Sequence, residues 1–410
     1  DLVRSRGLGD VYKRQVISIC LYILLWICAP AISRFFSESL LIPVIRVLGL
    51  VLIINSCSII QRTVLVRNID FKTQTKVSLI ASLVSGGVGI TMALYHCGVW
   101  SLVGQQLSRQ FFNSVLLWIY GKWRPLWEFS YKSFKDLFGF GSKLLLSGLI
   151  DVFYKNVYYI VIGRYYSATQ LGQYTRAEQF STIFSSNLTS VVQRVSYPVL
   201  SSIQEEPERL RDAYRKIIKV TMLITFALMF GLAAIAKPLI VILIGEKWLM
   251  AVPFLQIICF SEMLYPLHAI NLNILQVRGY SGLFLKLEIV KKIIAVIPIM
   301  IGIFWGINYM LWGAVCISLV SYILNSYYSG RLIDYSTVKQ VKDIFPCFLV
   351  SSLVALLMWG ITFLHFNFLV TLLLQVSVGI LLAIVAYERM RLEEYKEIRR
   401  IILSIIRKNS

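Results

Sequence analysis

From Val16 onward the chain is a succession of apolar runs, each near the length that carries a helix across a bilayer. The hydrocarbon core takes about 20 helical residues. In hydrocarbon every backbone N–H and C=O has to be satisfied within the protein, which leaves helices or closed barrels. The runs here are continuous rather than alternating, so helices are expected. Twelve spans follow, at roughly 16–35, 41–64, 77–96, 101–121, 138–162, 179–203, 217–243, 250–275, 284–305, 309–330, 344–364 and 367–387. The connections are short, and nowhere is there room for a soluble domain. The expected fold class is all-α, a polytopic membrane helical bundle.

Composition agrees. The chain is 57% hydrophobic and 15% charged, against about 45–50% and about 25% in soluble domains. The net charge of +20 would suggest nucleic acid in a soluble protein. In a polytopic chain the excess belongs to cytoplasmic loops instead, and no nucleic-acid partner is expected. Basic residues crowd the loops after the second, fourth, sixth, eighth and tenth spans, and the tail. Examples are Arg67, Lys72 and Lys76, then Arg209, Arg211 and Arg215. The alternate loops hold only Arg34, Arg164, Arg176 and Lys247. The crowded set is therefore cytoplasmic, and the turn from Gly163 to Glu178 faces outward.

Residues 1–15 have no initiator Met, no apolar h-region and no cleavage pattern, so they are not a signal peptide. They read as a foreign peptide. An internal repeat appears at an offset of about 209 residues. Pro30 and Pro43 match Pro238 and Pro253, Val66-Arg67 matches Val277-Arg278, and Gly104 matches Gly313. The first four spans thus correspond to the seventh to tenth. The expected organisation is an incomplete N-terminal lobe over 16–121, a cytoplasmic linker over 122–137, a six-span C-terminal lobe over 138–330 and a terminal hairpin over 344–387. A basic amphipathic tail over 388–410 is expected to lie on the inner leaflet, drawn by anionic membrane lipids. Since the later copy is preceded by a hairpin and the earlier one is not, about 14 spans are expected for a complete chain.

Polar residues inside the spans carry the functional expectations. A charge at membrane depth costs at least about 3 kcal/mol on insertion scales, so each one needs a cavity or a partner. Ser147, Asp151, Tyr154, Lys155 and Tyr158 share one helix face, and Asn187, Ser190, Arg194 and Tyr197 share another. Asp151 and Lys155, four apart, either neutralise each other or line a cavity. Arg109 extends a stripe with Gln106 and Asn113; Arg46 and Glu262 lie in other spans. An excess of guanidinium and ammonium groups suits an anionic substrate. Pairing of all of them within the bundle is the alternative.

Catalytic signatures are absent. There is no P-loop, no Ser/His/Asp or metal-ligand spacing, and the seven cysteines form no Cys-x-x-Cys. Asp70 and Asp136 lack the paired-acid setting of a sugar transferase. No enzyme activity, metal or cofactor is expected.

Three segments resemble a known family. Leu171-Gly172-Gln173-Tyr174-Thr175-Arg176-Ala177-Glu178-Gln179 is similar to the Leu-Gly-x-Tyr-x-x-Ala turn of the polysaccharide transporter family. Tyr197-Pro198-Val199-Leu200-Ser201-Ser202-Ile203-Gln204 with Pro207-Glu208-Arg209-Leu210, and Gly245-Glu246-Lys247-Trp248, resemble two further signatures. The chain resembles the WzxC-like O-antigen and exopolysaccharide flippases of the multidrug/oligosaccharidyl-lipid/polysaccharide exporter superfamily over about residues 16–390. The resemblance implies two pseudo-repeated lobes in a bacterial inner membrane. It also implies a lipid-linked oligosaccharide on undecaprenyl diphosphate as substrate, moved by alternating access, with polysaccharide polymerase machinery as a partner. On that reading Arg109 and Arg194 contact the diphosphate, Lys155 and Arg46 support them, and Asp151 or Glu262 binds a coupling proton or cation. A multidrug exporter of organic cations and a membrane polymerase or ligase are the competing functions. The basic excess disfavours the first, and the short outer loops disfavour the second.

The loop asymmetry predicts topology directly. A reporter fused after Ser410 should lie in the cytoplasm, and Ser167→Cys should react with an impermeant thiol reagent from outside. Labelling of the tail in intact cells would invert the orientation.

Overall fold

A computed structural model describes residues 2–68, 70–121, 149, 152–390, 395–396 and 399–400. Among the described residues every regular element is helical. The helices are α1 (Leu2–Phe36), α2 (Leu41–Leu48), α3 (Leu50–Arg67), α4 (Phe71–Leu94), α5 (Val99–Tyr120), α6 over 152–165 and α7 (Ala168–Ser202). They continue with α8 (Pro207–Ile244), α9 (Ala251–Glu262), α10 (Tyr265–Val277), α11 (Ser281–Ile294), α12 (Val296–Trp305), α13 (Ile307–Leu332), α14 (Thr337–Gly360) and α15 (Phe368–Arg389). All twelve expected spans are present as helix, the fifth described only from residue 152. Seven helical segments are long and apolar enough to cross a membrane on length and composition alone. The chain is a multi-pass membrane protein with two pseudo-repeated lobes. The helical backbone of α1 also runs back through residues 2–15, the stretch set apart by sequence.

Three expected spans are each divided in two. The second breaks between α2 and α3 at Gly49, the eighth between α9 and α10, and the ninth between α11 and α12 at Ala295. Gly49 is there because Tyr22 leaves no room: a Cβ would lie 2.9 Å from the Tyr22 ring. The eighth span breaks where Pro266, in the first turn of α10, has no N–H to continue a ladder. Each break keeps its backbone bonded. Gly49 N–H reaches Ile45 O at 2.8 Å, Met263 N–H reaches Cys259 O at 3.0 Å, and Ala295 N–H reaches Lys291 O at 2.9 Å. The second and eighth spans are equivalent in the internal repeat, and both are broken.

By packing, the chain divides into residues 1–155 and 156–410. In the first unit α4 lies along α5, and α3 packs on α1 and α5. Small polar residues fill these seams: Ser56, Ser58, Ser85, Ser101 and Ser114 are buried. Small residues let helix backbones approach where no hydrophobic effect drives them together. Trp118 Nε1 donates to Cys57 O at 2.9 Å, and Gln110 Nε2 to Asn55 Oδ1 at 2.8 Å, which fixes α5 against α3. Asp70 caps α4: Thr73 N donates to its Oδ1 at 3.0 Å and Thr73 Oγ1 to its Oδ2 at 2.7 Å. Those two bonds favour the charged form and hold the carboxyl below its usual range. The cap therefore stabilises α4 above the usual carboxylate pKa and is lost as pH falls through the lowered value.

In the second unit α8 is the axis, packed on α7, α9, α14 and α15. Its inner end is tied by one amide. Asn271 Oδ1 accepts from Tyr214 Oη at 2.8 Å and Ser329 Oγ at 2.6 Å, while Asn271 Nδ2 donates to Leu267 O at 2.9 Å. All three side chains are fully buried, on α10, α8 and α13. Tyr214 then meets Tyr335 edge to face at 6.1 Å. Tyr335 Oη donates to Asp343 at 2.6 Å, and Arg215 grips the same carboxylate with Nε at 2.5 Å and Nη2 at 2.7 Å.

Asn271→Ala strands two buried hydroxyls, at a cost of about 1–3 kcal/mol each. The expected result is a lower thermal midpoint of the purified protein, with a smaller loss for Ser329→Ala. Equal midpoints for Asn271→Ala and the parent chain would show that the amide carries no such weight.

Candidate functional site

The structure places the expected site residues in two different settings within the first unit. Arg46, on α2, is half-buried with its guanidinium 3.8 Å over the Trp26 ring of α1. Its Nε is buried without a hydrogen-bond acceptor. A guanidinium stacked on an indole face is stabilised by the ring quadrupole, more so when water is excluded. Arg109, on α5, is exposed, next to the Gln110 that binds α3. Gln106 is exposed with it and Asn113 is half-buried, so this stripe stays out of the unit's packed interior. Among the described residues Arg109 has no ion-pair partner.

On α6, Ser147 and Asp151 of the first expected stripe lie outside the described residues; Lys155 is exposed. On α7, the face buried in the second unit is not the stripe of Asn187, Arg194 and Tyr197. Ser181, Ser185, Thr189 and Ser196 are buried, while Asn187, Arg194 and Tyr197 are exposed. The physical reason is size and charge. Hydroxyl side chains are short and can bond their own helix, as Thr189 Oγ1 does to Ser185 O at 2.7 Å. A guanidinium cannot be hidden that cheaply. Asn187 spends its amide locally, on Ile183 O at 2.6 Å. Arg194 has no ion-pair partner among the described residues.

Among the expected site residues that are described, Glu262 is half-buried and held by a hydrogen bond. It ends α9 at the break in the eighth span, and Ser185 Oγ donates to its Oε2 at 2.6 Å. A second acid, Glu178 on α7, accepts from Tyr159 Oη, and Tyr174, one turn earlier on the same helix, is buried. Tyr174 also meets Tyr159 edge to face at 5.7 Å. Nearby on α10, His268 Nε2 lies 3.1 Å from Ser318 Oγ, which donates to Ser261 O at 3.1 Å. Sequence reasoning passed over Glu178 because it stood in a turn signature beside Arg176. The spacing Glu178, Ser181, Ser185 was the available signal, since it puts the acid on the buried hydroxyl face.

The interior of the second unit thus offers acceptors for a proton or small cation. The cationic groups, Arg109 and Arg194, stay outside their units' cores and remain available to an anion. Among the described residues no cluster of metal-ligating side chains is present.

The family described as "Polysaccharide biosynthesis protein" matches residues 11–253. The chain belongs to that family. Its relatives include the teichuronic acid biosynthesis protein TuaB of Bacillus subtilis, 24% identical over 385 residues, covering 92% of this chain and 80% of TuaB. The lipopolysaccharide biosynthesis protein WzxC of Escherichia coli is 24% identical over 269 residues, covering 64% of this chain and 54% of WzxC. The probable low-salt glycan biosynthesis flippase Agl15 of Haloferax volcanii is 21% identical over 284 residues, covering 67% and 59%. In fold the chain is similar to the lipid II flippase MurJ in its inward closed conformation. The TM-score is 0.74 at 13% identity, covering 95% of this chain and 85% of MurJ. Membership of the family agrees with the resemblance carried by the three signature segments. Those segments fall on the start of α7, the end of α7 with the start of α8, and the turn after α8.

Proposed function

We propose that this chain is a flippase that carries an oligosaccharide linked to undecaprenyl diphosphate across the cytoplasmic membrane for polysaccharide assembly. The reading rests on one observation above the others: a chain of the polysaccharide biosynthesis family keeps guanidiniums, within spans expected from sequence, outside the packed cores of its units. Arg109 and Arg194 are exposed side chains on α5 and α7. A group that costs about 3 kcal/mol at membrane depth persists where it does work. A diphosphate matches it: a guanidinium fork binds two phosphate oxygens at once. Lys155 supports them, and Arg46, already stacked on Trp26, supplies field rather than a free fork.

The mechanism is alternating access. The polar headgroup occupies a cationic cavity while the lipid tail stays in hydrocarbon. Glu262, seated on Ser185, is the coupling proton or cation site, with Asp151 a second candidate. The chain acts as a transporter and carries out no bond chemistry. The polymerase that consumes the outer-leaflet product is the expected partner.

The test is transport in proteoliposomes holding a lipid-linked oligosaccharide. Arg194→Ala and Arg109→Ala should each slow its arrival in the opposite leaflet about tenfold or more, the loss of one charge-assisted contact. Arg194→Lys should lose less, and reconstitution yield should be unchanged. Normal transport by both alanine variants would remove the diphosphate role.

A further inference from the structure

Two of the signature segments meet in space, and neither is used by the transport reading. Gly245 ends α8 with φ +92° and ψ 165°, a conformation that side chains rarely adopt. The chain turns there and delivers Lys247 and Trp248 to the start of α7. Gln173 Nε2 donates to Lys247 O at 2.8 Å, and Gly172 leaves space for the Trp248 ring, whose edge would lie 3.8 Å from a Cβ. The start of α7 is itself fixed by a capping box. Ser167 Oγ accepts from Gln170 N at 3.2 Å, and Gln170 Oε1 accepts from Ser167 N at 3.3 Å.

This junction lines an open pocket of about 690 Å³ within the second unit, on the side the basic loops assign to the outside. That volume is in the range of small-molecule sites, about 300–1,000 Å³. Its lining is chemically mixed. Arg176 lies 5.4 Å over the Trp248 ring, and its Nη1 donates to Gln179 Oε1 at 2.9 Å. Indole and amide therefore orient the guanidinium and leave the rest of its fork unused. Arg176 meets no carboxylate among the described residues. On the same wall Glu178 accepts from Tyr159 with one oxygen, and Thr182 adds a hydroxyl. Donor-only, acceptor-only and dual groups thus line one cavity beside an aromatic ring.

We propose that this pocket is an outer saccharide subsite that takes a sugar residue bearing a carboxylate. Sugar hydroxyls both donate and accept, which suits Glu178, Gln179 and Thr182 together. The carboxylate takes the oriented fork of Arg176 in a bidentate pair. Trp248 supplies the apolar wall and holds the arginine. The proposal rests on the flippase reading for the source of the sugar, the glycan emerging on a lipid carrier.

The test uses the full chain in lipid nanodiscs and two probes, cellobiouronic acid and neutral cellobiose, titrated by ligand-observed NMR. The acidic disaccharide should bind about tenfold more tightly, the worth of one charge-assisted pair. Arg176→Gln should erase that preference, Arg176→Lys should keep part of it, and Trp248→Ala should weaken the acidic disaccharide. No saturable binding of the acidic disaccharide, or binding unchanged by both Arg176→Gln and Trp248→Ala, overturns the subsite. Proteoliposome transport by the parent chain separates the two ideas. Acid-disaccharide binding without transport of a lipid-linked glycan removes the flippase reading and leaves the pocket. Transport without binding does the reverse.

Discussion

The second unit hangs on a single buried amide with three of its four hydrogen-bonding positions filled. Asn271 has two acceptor bonds and one donor bond, to three helices, in a place no water reaches. Buried polar groups are costly only when unpaired, and in hydrocarbon there is little else to specify how helices meet. The network continues through Tyr335 to the Asp343 carboxylate and ends at Arg215, so specification at the core reaches the solvent. The apolar contacts around it supply area; the polar chain supplies register.

The same constraint explains how charge is distributed. Hydroxyls that find a backbone carbonyl can be buried, as Thr189 and Thr225 are. Two half-buried acids each have a hydroxyl donor, Glu262 in Ser185 and Glu178 in Tyr159. Arginine either stacks, as Arg46 does on Trp26, or stays out of the core, as Arg109 and Arg194 do. Arg109 and Arg194, which have no ion-pair partner among the described residues, thus stay outside the packed cores of their units.

The spans were legible in the sequence because their signal is local: a run of apolar residues reports on its own surroundings. The breaks were not. Gly49 and Ala295 sit within long apolar spans, and what demands a glycine at 49 is Tyr22, a residue from another helix. The packed face of α7 was not legible, because Arg194 and Asn187 carry that helix's strongest polarity and lie off it. The packed face is the one with the smallest side chains. Trp248 could not be placed from sequence, since its neighbours Gly172 and Arg176 lie more than seventy positions away.

The clamp of Arg215 on Asp343 has a mechanical consequence. α14 packs along α8, and the clamp pins its first turns, so the terminal pair α14 and α15 is cargo of the second unit. Any rocking of that unit sweeps two extra helices sideways through lipid. The moving body then feels drag from the acyl chains over a wide flank, and the viscosity of the bilayer becomes part of its speed.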